Sequence, residues 1–104
     1  MDELVQRLSG GKHPVVARRA KSAKDLKQNI DRGYALIAFT DTRGGTELGV
    51  RLDDELTDLS GADFDNARGT VHLAGNLALN YVKVRCVANI DLTTLEGKGH
   101  LEIP

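Results

Sequence analysis

The residues with chemical potential are few and scattered along the chain. Arg43-Gly44-Gly45-Thr46 is the most site-like loop, because amides beside paired glycines can form an anion-binding nest and Arg43 can add a charge-assisted contact. The same two glycines also suit any hairpin turn, and the loop lacks the lysine of a phosphate loop, so a turn is the preferred reading. His13, His72 and His100 show none of the spacings of a metal site, so no metal is expected. Cys86 shares its strand phase with Val84 and Ala88, which predicts a buried small hydrophobe rather than a nucleophile. No nucleophile–base pattern stands out, the chain is read as a non-enzyme, and no cofactor is implied.

Charge is unevenly placed although the net charge is only −1. Arg18, Arg19, Lys21, Lys24 and Lys27 form the best candidate for a polyanion contact, since phosphate neutralisation by such a group gives salt-sensitive binding. The scarcity of aromatics, with no Trp, two Tyr and two Phe, removes the stacking platforms that single-stranded nucleic acid needs. Nucleic-acid binding therefore ranks below a solvated basic face. Asp53, Asp54, Glu55, Asp58, Asp63 and Asp65 follow as an acidic stretch. Its first part, Asp53, Asp54, Glu55 and Asp58, resembles an EF-hand in composition only, without the required glycine and terminal glutamate in register.

The elements that must position these groups are legible in part. Ser22 and Asp25 form a capping-box-like start for a helix over 22–32, with Ala23, Leu26 and Ile30 on one stripe and Gly33 as its stop. Residues 1–8 can form two helical turns, and 1–14 is left open as a flexible N-terminal arm. His13-Pro14-Val15-Val16 reads as an extended connector. Tyr34 to Thr40 and the alternation Leu48, Val50, Leu52 predict a hairpin turning at 41–46. Residues 53–68 read as an acidic connector with one helical turn at most.

From Thr70 the pattern is β to the end. Gly75-Asn76 predicts a tight turn between strands 70–74 and 77–81. From Val82 the inward phase passes to Val84, Cys86, Ala88, Ile90 and Leu92, and a bulge or bend near Asn80 to Val82 is needed to reconcile the two phases. Glu96 to Gly99 reads as a turn before a final short strand at Leu101 and Ile103.

The fold expected is therefore α+β. One main helix packs on a largely antiparallel sheet of five to six strands, covering Leu48, Val50, Val84, Cys86 and Ile90. At 104 residues, 40% apolar and 28% charged, the chain suits one domain with an aliphatic core. One cysteine and an acidic N-terminus without a long apolar run predict a cytoplasmic protein with no membrane contact. The leading functional reading is a non-catalytic interaction module: an adaptor, an inhibitor or an accessory subunit of a larger complex. A protein partner or self-association would use an available sheet edge. The polar phase Lys83, Arg85, Asn89 and Asp91 is the predicted partner face, with anion binding by Arg43 to Thr46 as the alternative.

Overall fold

The computed structural model describes residues 3–103. In chain order it contains α1 (Glu3–Ser9), β1 (His13–Arg18), α2 (Ala23–Asp31), β2 (Tyr34–Phe39), β3 (Thr46–Leu52), β4 (Ala62–Asp63), β5 (Arg68–Leu79), β6 (Val82–Asp91) and β7 (Glu96–Glu102). All named strand pairs are antiparallel, in the order β3-β2-β1-β7-β6-β5-β4, and β3 also pairs with β5. That last pairing closes six strands into a barrel, with β4 as a short flap on β5.

Closure corrects the expectation of an open sheet under one main helix. Leu48, Val50, Val84, Cys86 and Ile90 are buried as foreseen, but they fill the inside of a barrel together with Val15, Ile37, Phe39, Val71, Leu73 and Leu101. A small barrel is packed by its own alternating side chains, which suits a chain rich in Val, Leu, Ile and Ala. Two short helices serve this core rather than one. α1 precedes β1 and α2 follows it, so the two stand at opposite mouths of the barrel. Val5 and Leu8 of α1, and Ala23, Leu26 and Ile30 of α2, join the same buried cluster. Met1 and Asp2 of the 1–14 stretch lie outside the described residues, and the remainder carries α1 and the start of β1.

α2 forms for the reasons its sequence gives. Ser22 Oγ accepts the Asp25 N–H at 3.2 Å, and the Asp25 carboxylate accepts the Lys21 N–H at 3.1 Å. Gly33 follows the last turn with φ +86°, a conformation that glycine takes without strain.

Four local expectations fail, each for a physical reason. The segment from His13, taken as a connector, is an interior strand bonded to β2 and β7. Pro14 is tolerated as the second residue of the strand, where its carbonyl still accepts from Thr40 N–H at 3.1 Å. Gly75-Asn76 is not a turn: β5 runs unbroken from Arg68 to Leu79. The bulge or bend expected within one strand near Asn80 to Val82 is instead a full reversal between β5 and β6. The phase changes because Asn80 (φ 50°) and Tyr81 (φ 67°) form the two-residue hairpin turn, both in the left-handed region expected of a type I′ turn. Glu96 to Gly99 is strand rather than turn, and the reversal occurs over 92–95.

The acidic connector holds no helix. Its carboxylates make local turns instead, with Asp53 accepting from Glu55 N–H, Asp58 from Ser60 N–H and Asp63 from Asn66 N–H. The Ser60 side chain beside Asp58 and the Asn66 side chain beside Asp63, followed by these N–H bonds, favour the ionised form and hold both carboxyls below their usual value.

Candidate partner-binding surface

Three groups of residues stand out on the outside of the barrel, each on different elements. Arg43, Gly44, Gly45 and Thr46 turn the chain between β2 and β3. Gly44 and Gly45 both have positive φ, but the Gly45 N–H is already committed to Thr42 O at 2.9 Å. The Thr42 and Thr46 hydroxyls bond each other at 2.7 Å. The loop thus spends part of its nest on its own turn. Beside it, a groove of about 810 Å³ runs against α1, with Arg7 and Arg43 on its walls and Glu3 opposing their charge.

Lys83, Arg85, Asn89 and Asp91 lie along the outer phase of β6, but the structure divides them by role. Asn89 Oδ1 accepts a bond from His72 Nδ1 at 2.8 Å, with the proton on that nitrogen. Asp91 accepts the Thr93 N–H at 2.8 Å and caps the turn into β7. Arg85 stands in register between Asn76 and Glu102, with its Nε buried and unbonded. Lys83 sits near the Asn80–Tyr81 turn, exposed and two residues from Tyr81, whose side chain projects fully into solvent. The strand rises about 3.3 Å per residue, so Lys83 and Asp91 are roughly 26 Å apart. They do not form one site.

Arg18, Arg19, Lys21, Lys24 and Lys27 run from the end of β1 into α2. Arg18, Arg19, Lys21 and Lys24 are exposed. Lys27 is half-buried, pairs with Asp31 one turn on and lies 5.9 Å from the centre of the Phe64 ring. Part of the basic charge is therefore used within the fold.

Sequence reasoning missed two features. A shallow groove of about 330 Å³ crosses the outer faces of β5, β6 and β7, lined by Leu56, His72, Ala74, Arg85, Val87 and His100 among others. Strand phase placed both histidines outside, but only the register shows that Val87 lies opposite Ala74 and His100. The second feature is His13. Its ring bridges Asp41 Oδ2 at 2.7 Å and Gly10 O at 2.8 Å while almost wholly buried, so it ties the start of β1 to the β2–β3 turn.

The hydrogen bond to Asp41 raises the His13 pKa from 6.5, opposed by burial and aided by the Gly10 carbonyl and the charge of Asp41. A raised folded-state pKa stabilises the fold fully below the unfolded value. That contribution is lost as pH rises through the folded pKa. Stability measured by urea unfolding should therefore fall above about pH 6.5, and His13→Gln should remove that part of the slope.

Cys86 is inert. Burial pushes its thiol up to about 12, far from the thiolate a nucleophile needs. Among the described residues no group of three or more His, Cys, Asp or Glu side chains is placed to hold a metal ion. No helix among them is long and apolar enough to cross a membrane.

What the molecule offers is a six-stranded barrel with charged outer faces, grooves between strands and several side chains engaged in local bonds. A family model described as core binding factor beta subunit matches residues 4–104, nearly the whole barrel and both helices. The chain belongs to the core binding factor beta subunit family. No curated protein matches the chain. The family's description names one subunit of a factor built from more than one chain.

Proposed function

We propose that this protein is a non-catalytic accessory subunit that binds and regulates a different protein chain. The observation that carries the reading is the match to the core binding factor beta subunit family across residues 4–104. Cys86 lies inside the barrel, and the three histidines are held by Asp41, Asn89 and Glu102, which leaves the charged strand faces for contact with a partner. The free, buried thiol also suits a reducing compartment, and the cytoplasm is the proposed setting.

A closed barrel has little deformable backbone, so the partner meets a preformed surface and affinity is not spent on ordering this chain. The test is reconstitution. The tagged full chain is recovered from its own cells, the co-purifying chain is produced separately, and the mixture is weighed by light scattering. A defined complex of two different chains, with the partner's activity altered on mixing, is the expected result. Recovery as a lone monomer, or only as a homodimer, would overturn it.

A further inference from the structure

Arg85 sits on the outer face of β6 with its donors unused. Its Nε is buried without a partner, and among the described residues the guanidinium makes neither an ion pair nor a hydrogen bond. A buried donor in that state is costly to the fold and calls for an acceptor. Cross-strand register supplies one acid opposite it, Glu102. That carboxylate is turned to His100 instead, whose Nε2 lies 3.1 Å from Glu102 Oε2. The strand thus carries a half-covered cation whose nearest acid is spent on a neighbour.

The ground beside Arg85 is aliphatic and held in place by local bonds. Val87, two residues on along the same face, lies in register between Ala74 of β5 and His100 of β7, about 4.8 Å from each strand. Ala74 is only 2% exposed although it lies on the outer phase, because the segment 53–58 folds against it. Thr57 Oγ1 donates to Ala74 O at 3.2 Å, and Asp58 and His72 exchange main-chain bonds of 2.8 and 3.0 Å. Those bonds set Leu56 at the rim, where it stays exposed. His72 is held by Asn89 and His100 by Glu102, so the remaining walls are also preformed. The result is the groove of about 330 Å³, with Leu56, Ala74 and Val87 as its aliphatic lining and Arg85 as its unpaired cation.

One free guanidinium beside an aliphatic floor is complementary to one kind of ligand. We propose that this groove binds a small monocarboxylate with a short aliphatic tail. The carboxylate takes the guanidinium of Arg85, and the tail lies across Val87 and Ala74 against Leu56. A second negative charge on the ligand would meet Glu102, which lines the same groove, and Asp58, whose charge is felt at His72. Phosphate and dicarboxylates are therefore disfavoured, and phosphate would also leave the lining in water. A free short-chain acid and the C-terminal end of a peptide share the required chemistry. The site is independent of the accessory-subunit reading.

The probe is sodium hexanoate, titrated into the isotope-labelled full chain and followed by backbone amide and methyl shifts. Saturable shifts at Leu56, Ala74, Arg85, Val87 and His100 in the millimolar range are expected, the strength open to a ligand of so few atoms. Arg85→Gln should weaken binding at least about tenfold, the loss of a charge-assisted bond. Arg85→Lys keeps the charge without the planar fork and should retain part of the affinity. Glu102→Gln should tighten binding about twofold by removing a like charge. Hexanol, which lacks the charge, and acetate, which lacks the tail, should each bind at least about tenfold more weakly than hexanoate. Should Arg85→Gln unfold, the hexanol comparison makes the same cut on the parent chain. Absence of shifts, shifts elsewhere, equal binding of hexanol, or unchanged affinity in Arg85→Gln would overturn the proposal. Inorganic phosphate binding as tightly as hexanoate would overturn it too. Titration of N-acetyl-leucine beside hexanoate separates the two sources, the tighter ligand marking a peptide end or a free acid.

Discussion

Replacing Gly75 with alanine should destabilise the protein by about 3 kcal/mol, the upper range for forcing an atom into a filled site. A Cβ built on Gly75 would lie 2.1 Å from Arg51 O, 2.7 Å from Arg51 C and 2.7 Å from Val50 Cγ1. Two of those three atoms are backbone, so no rotamer change relieves the clash. Strand β3 must retreat, and the pairs Arg51↔Asn76 and Leu52↔Gly75 that close the barrel are the ones lost. Urea unfolding gives the magnitude. Amide exchange gives the location, because the Asp53 N–H, bonded to Ala74 O at 2.8 Å, should lose protection while the β5–β6 hairpin keeps its own. Gly49→Ala is the matched control. Its Cβ meets only Leu36 Cδ2 at 4.0 Å, and a surface change of that kind stays within about 0.5 kcal/mol. Equal losses at the two positions would mean that Gly75 is not the closure point.

Gly75 also shows why part of this fold was hidden in the sequence. Gly-Asn is a turn signal when the chain reverses there, and glycine is equally required where two backbones crowd. The sequence contains the residue but not the neighbour that explains it. The true turn, Asn80–Tyr81, places a tyrosine at φ 67°, where propensity would ask for glycine. Long-range pairing concealed β1 in the same way. Six residues with a proline give little period, and their partners on β7 lie 80 or more positions away, as with His13 and Gly99.

Features with a local cause were legible. The Ser22–Asp25 cap, the β2–β3 hairpin, the inward phase of Cys86 and the outward phase of Lys83 each follow from a few adjacent residues. The candidate site was legible only as chemistry. Residue types and phase marked the outer face of β6, but register across β5 and β7 decides which of its groups are occupied. Asn89 is engaged by His72 and Asp91 by a turn amide, whereas Lys83 stands free beside a seam that no single strand encodes.

The second large effect is expected at Phe39, the largest fully buried side chain of the barrel. Phe39→Ala should cost about 3–5 kcal/mol, because the lost transfer energy is joined by a cavity that closed strands cannot collapse to fill. The loss should not be uniform in pH. The Phe39 ring meets His13 edge-on, with centroids 6.2 Å apart and planes at 64°, and its carbonyl accepts the Thr42 hydroxyl at 3.4 Å. Removing the ring therefore loosens the wall that holds His13 against Asp41 and opens the imidazole to water. The stability that the raised His13 pKa confers at low pH should shrink with it. Urea unfolding of the parent, Phe39→Ala, His13→Gln and the double variant at about pH 6 and pH 8 tests this directly. A coupling of about 0.5–1.5 kcal/mol, larger at the lower pH, is the expected outcome for an aromatic pair in contact. Strict additivity at both pH values would show that the ring fills space without positioning the histidine, and the link between the core and the β2–β3 turn would then have to run through Thr42 instead.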